Sequence, residues 1–119
     1  MTSPLYRIAD WDKHFENNRS RVLQRLLWVP IPNKQDGDGY IELVEDHPNG
    51  AAHYGAWCAI VLVASKCEPR GTLQREEGVP HTPKTLSRKC RIDPDVLGEA
   101  LPRLVKIGWV EEIRHLGAG

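Results

Sequence analysis

Apolar and polar positions change period several times along this chain, and each change predicts an element. Leu5, Tyr6, Arg7 and Ile8 read as a short strand. Asp10 reads as the cap of a short helix ending near Asn18. Trp11 and Phe15 stand four apart, so they share a face of that helix and pin it to a core. Residues 27–32 look extended, and Pro30 and Pro32 remove ladder donors, which suits a sheet edge. Residues 33–39 are a turn cluster rich in Asp, Asn and Gly. Tyr40, Ile41, Leu43 and Val44 are β-prone and read as the returning strand. The first 50 residues are therefore expected to form an N-terminal helix and a β-hairpin.

From residue 51 the period becomes helical. Residues 51–66 place apolar side chains nearly all round the axis, the pattern of a central, buried helix. Pro69 and Gly71 stop it. Residues 70–73 read as a short strand and 76–80 as a loop. Thr82 with Pro83, and Asp93 with Pro94, each pair a capping residue with proline at the first helical position. They predict helices reaching about Cys90 and about Ile107. Leu86 and Cys90 face the core from the first; Leu97, Leu101 and Leu104 form the core stripe of the second. Pro102 cannot donate to Gly98 and should bend that helix or cost it a bond. Gly108 ends it, and residues 109–113 follow as a strand. Residues 114–119 read as a flexible tail, as a linker or truncated parent chain would leave. Trp28, Trp57 and Trp109 lie in apolar runs and are expected in the core; Trp11 stands nearer a polar surface.

With 119 residues the chain suits one small soluble fold. Its longest apolar run, residues 56–64, is under half of the roughly 20 residues a membrane-spanning helix needs. No secretory signal is read at the N-terminus. Three cysteines without a CxxC pair suit reduced thiols in the cytoplasm rather than a disulfide framework. The five histidines show no His or Cys partner at i, i+4, so no metal site or other cofactor is expected.

Charge changes this picture. The formal net charge is zero, but residues 51–91 hold seven basic and three acidic side chains, while the flanking segments are acidic. That middle segment is where phosphate would be favoured.

The order long helix, short strand, two capped helices, glycine, strand resembles a winged-helix domain over residues 51–113. Leu101, Leu104, Ile107, Gly108, Trp109 and Val110 carry the resemblance at its end. A second resemblance covers almost the whole chain. Trp11-Asp12-Lys13-His14-Phe15-Glu16, Ser20-Arg21, Trp28-Val29-Pro30-Ile31-Pro32-Asn33-Lys34, Asp36-Gly37-Asp38-Gly39-Tyr40, Gly55-Ala56-Trp57, Ala64-Ser65-Lys66-Cys67, Arg70-Gly71-Thr72-Leu73 and Ile107-Gly108-Trp109-Val110 look like the N-terminal region of phage and prophage replication-initiator-like proteins. The resemblance implies an α+β winged helix preceded by an N-terminal extension. It also implies double-stranded DNA as partner in phage-type replication, with a replication protein as a further partner.

In such domains the last helix of the trio enters the major groove. Here that helix opens with Asp93, Asp95 and Glu99, which repel phosphate. The expected DNA-binding residues lie instead on the preceding helix and loop. They are Arg70, Arg75, Lys84, Arg88, Lys89 and Arg91 for phosphates, with Thr82 and Thr85 as neutral contacts. The rival reading is a winged helix that binds only protein, which the acidic last helix favours. An enzyme is not expected. Asp36-Gly37-Asp38-Gly39 with Glu42 lacks EF-hand spacing. His14 with Glu16, and His81 with Cys90, lack a third orienting group. No Walker loop, GxSxG or HExxH occurs.

Overall fold

A computed structural model describes residues 4–33 and 37–113. The expectations for residues 114–119 and for the loop at Lys34, Gln35 and Asp36 fall outside the described residues. The fold is α+β, with six helices and two small antiparallel sheets among the described residues. No described helix is long and apolar enough to cross a membrane.

The chain opens with β1 (Leu5–Ile8) and α1 (Trp11–His14). Asp10 sits in the left-handed region at φ 52° and makes no side-chain cap, so α1 is a single turn and ends well before Asn18. A second turn, α2 (Asn18–Arg21), is closed by a reciprocal cap between Asn17 and Ser20. Trp11 and Phe15 stack at 4.9 Å, and Phe15 meets Trp57 edge-on at 6.2 Å, so the expected pinning holds.

Residues 22–33 carry no regular element, and the expected β-hairpin does not form. Its second half is instead α3 (Asp38–Glu45). Tyr40, Leu43 and Val44 also satisfy helical spacing, Asp38 favours the positive end of the dipole, and Leu43 is fully buried. Tyr40 packs edge-on against Tyr54 at 5.1 Å. Burial of one helical face therefore overrides β-propensity. Trp28 is a second correction: it is 83% exposed, outside the core that takes Trp57.

α4 (Gly50–Ala64) is the central helix. It packs on α3, α5 and α6 and buries His53, Trp57, Ile60, Val61 and Ala64 along one face. It is not buried all round, since Ala51, Ala52, Gly55 and Leu62 face solvent. Beyond it, the expected strand at 70–73 is a single bridge between Arg7 and Thr72. The regular pair is β2 (Gln74–Glu76) with β3 (Val79–Pro80), so the expected loop at 76–80 holds the end of one strand and the whole of the other.

α5 (Pro83–Cys90) and α6 (Pro94–Lys106) start and stop close to where their caps predict. Leu86, Leu97, Leu101 and Leu104 are all buried beneath them. Pro102 lies exposed inside an uninterrupted α6. Gly108, at φ 84°, turns the chain into β4 (Val110–Ile113).

β4 closes the fold on its beginning. It pairs antiparallel with β1, matching Leu5 to Ile113 and Ile8 to Val110. The other edge of β1 meets residues 71–73 through Ile8 N–H to the Gly71 carbonyl (2.7 Å) and Leu73 N–H to the Tyr6 carbonyl (2.8 Å). Gly71 has φ +92°, and a Cβ there would overlap Trp11, so only glycine fits. Ile8, Trp11, Phe15 and Leu43 join Trp57 and Ile60 in one core, so the first 50 residues share the core of the rest.

Candidate nucleic-acid interface

A basic surface is built on α5. Thr82 and Thr85 close a capping box: the Thr82 N–H donates to Thr85 Oγ1 (2.8 Å) and the Thr85 N–H to Thr82 Oγ1 (3.3 Å). Thr85 Oγ1 also meets His81 Nδ1 at 2.9 Å. Both hydroxyls are thus engaged in starting the helix. With Leu86 turned inward, Lys84, Arg88 and Lys89 face solvent. Arg91 ends the helix in the left-handed region and is also exposed. None of the four has an ion-pair partner among the described residues.

Two more cations extend this surface. Arg75 is exposed on β2, and Lys66 follows α4. With Lys89 they line a groove of about 450 Å³ together with the apolar Ala59, Leu62 and Val63 and the acidic Glu68. Lys66 was not expected at the site; its position at a helix C-terminus explains it equally well by the dipole. Neighbouring groups register the field. Burial lowers the pKa of His81 from its ordinary value, and the positive charges of Arg75 and Lys89 lower it further. Burial pushes the Cys67 thiol up to about 11, against the opposing pull of Lys89.

Arg70 stands apart from the other expected contacts. Its guanidinium pairs with Glu16 at 3.0 Å and donates to the Ser20 carbonyl at 3.0 Å. Both side chains are largely buried, at 16% and 4% exposure. It ties residues 16–21 to the loop after α4. Arg70 and Glu16 lie 54 positions apart, so no local pattern could reveal the pairing.

The acids expected on α6 are where the sequence puts them. Asp93 Oδ1 accepts from the Asp95 N–H at 2.7 Å, and Asp95 and Glu99 are exposed. The mouth of α6 is therefore negative. Of the pairs set aside above, His14 meets Asp10 at 4.0 Å, and Glu16 accepts from the Trp11 indole N–H and from Arg70. His81 lines the groove with Cys90 but hydrogen-bonds Thr85.

One polar cluster escaped the sequence reading. His47, His53 and Glu99 bring three ligand-type atoms within 4.8 Å of one another. Their i, i+6 spacing and the distance to α6 hide the cluster from local pattern. Its hydrogen bonds assign the protons. Arg103 can only donate, and it meets His53 Nδ1 at 2.8 Å. His53 Nε2 must then carry the proton and donate to Glu99 Oε1 at 2.9 Å. The Asn49 N–H donates to His47 Nδ1 at 2.9 Å, which fixes that ring the same way. Hydrogen bonds from Asn49 and His53 hold the Glu99 carboxyl below its usual range. A metal at His53 Nε2 would need that proton removed while Arg103 still faces Nδ1, so this arrangement suits a hydrogen-bond relay between α4 and α6.

No protein family, curated sequence or solved structure matches this chain.

Proposed function

We propose that this chain is a nucleic-acid-binding winged-helix module that takes double-stranded DNA by phosphate contact. The observation that carries the reading is the set Lys84, Arg88, Lys89 and Arg91, all exposed and without ion-pair partners among the described residues, with Arg75 beside them. The element order from α4 to β4 is compatible with a winged helix. In this reading α5 and the β2–β3 hairpin face the DNA backbone, and the acidic start of α6 stays clear of it. Arg70, Thr82 and Thr85 hold the structure that presents the cations. The phage-type replication role, with a replication-protein partner, rests on the resemblance in the sequence.

Five phosphate contacts predict a slope of log affinity against log salt of about −4.5. Fluorescence anisotropy with a labelled duplex measures it. Replacing Arg88 and Lys89 by Glu should abolish the measurable binding; unchanged affinity would remove the assignment. A second reading has its own observation. Leu62 and Val63 in one groove with Lys66, Arg75 and Lys89 suit an acidic, amphipathic protein segment. In that case duplex binding is absent while the surface remains functional.

A further inference from the structure

Residues 19–32 form an arm that is held at its start by Arg70 and packed on the core through Leu26 and Val29, while its other large apolar side chains stay exposed. Val22, Leu27 and Trp28 are 82%, 90% and 83% exposed. Single exposed apolar residues are normal, but Leu27 and Trp28 are adjacent and share a surface hollow with Leu23, 52% exposed, and such a grouping marks a contact surface. The arm is also basic: residues 17–33 contain Arg19, Arg21 and Arg25 and no acid. Arg21 is engaged by Asp12 and Asn18. Arg19 and Arg25 are exposed and have no ion-pair partner among the described residues.

The same chain carries the complementary face. On and after α3, Asp38, Glu45 and Asp46 are exposed and without ion-pair partners among the described residues. Ile41 stands among them, 39% exposed. We infer that the basic apolar arm of one chain docks on the acidic α3 surface of a second copy, and reciprocally. Two like arms facing one another would set arginine against arginine, so charge favours arm on α3 over arm on arm. Zero net charge leaves no overall repulsion between copies. A reciprocal contact closes as a dimer with two-fold symmetry. This inference does not rest on the DNA reading.

Sedimentation velocity on the full chain, from micromolar to sub-millimolar concentration, tests it. The wild type should associate, more weakly at high salt. Trp28→Ser with Leu27→Ser should weaken association about tenfold or more, with unchanged circular dichroism because both side chains are exposed. Arg19→Glu with Arg25→Glu should also weaken it. Adding Asp38→Lys and Glu45→Lys to that arm-reversed chain should restore it, which a merely structural role would not do. A monomer at every concentration, association indifferent to the arm, or no restoration by the double reversal would overturn the inference. So would a monomer in which only a single-stranded oligonucleotide quenches Trp28, since the arm would then be a nucleic-acid surface. DNA binding through α5 should survive in the Trp28→Ser chain, so either claim can fail alone.

Discussion

Replacing Arg103 by methionine tests how the three helices around the core are locked together. Its guanidinium, reaching from α6, donates to the Leu43 and Glu42 carbonyls near the end of α3, each at 2.8 Å. It also donates to His53 Nδ1 on α4 at 2.8 Å. Methionine keeps most of the aliphatic volume and removes all three bonds. The Glu42 carbonyl retains the Asp46 N–H at 3.3 Å. The Leu43 carbonyl and the His53 ring nitrogen lose their donor, and His53 is fully buried. An orphaned buried acceptor costs about 1–3 kcal/mol. Arg103 is half-buried, so water relieves part of the loss, and the expected total is about 2–4 kcal/mol. That is a large share of the roughly 5–15 kcal/mol available to a small domain. With a urea slope of about 2 kcal/mol/M, the midpoint should fall by about 1–2 M. The exposed Lys106→Met control should change stability by less than about 0.5 kcal/mol. The Arg103 effect should shrink in a His53→Leu background, since the partners are coupled. A loss below about 1 kcal/mol for Arg103→Met would refute this reasoning.

Three further outcomes follow from the groups around the groove. The His81 pKa is lowered in the fold, so the unfolded chain binds its proton first as pH falls. Stability should thus be level above pH 6.5 and decline below it until the folded imidazole also titrates; urea midpoints at neutral and mildly acidic pH should show a smaller decline for His81→Gln than for wild type, and parallel declines would contradict it. DNA phosphates near Arg75 and Lys89 should raise the His81 titration midpoint, which NMR can follow; no movement on duplex addition would count against contact there. Cys67, buried and held up to about 11, should resist alkylation at neutral pH in the native fold. Mass spectrometry would read this directly, and modification at the rate of the denatured chain would overturn it.

The helices that announce themselves locally were legible. Thr82-Pro83 and Asp93-Pro94 mark their own starts, and Gly108 its own exit, because caps and left-handed turns are decided by a few adjacent atoms. The strands at both ends of the chain were legible too, though their pairing with each other was not, since it joins residues over 100 positions apart. α3 was misread because Tyr40, Ile41 and Val44 suit a strand as well as a helix, and only packing on α4 decides. Exposure of Trp28 contradicts the ordinary fate of a tryptophan in an apolar run, a conflict expected where a surface serves a partner. At the candidate site, the α5 cations were legible from charge and capping. Arg70 was not, because its guanidinium answers to Glu16 across the fold. The relay through Arg103, His53 and Glu99 spans separations of 46 and 50 residues, beyond any periodic pattern.

The salt dependence of duplex binding tests the central claim most directly. Affinity measured at about 50 and about 200 mM salt should fall by roughly 500-fold, and each single Lys84, Arg88 or Lys89 to Ala change should reduce the slope by about 1. Affinity that is flat with salt, or a slope unmoved by those substitutions, would contradict a phosphate-binding face on α5.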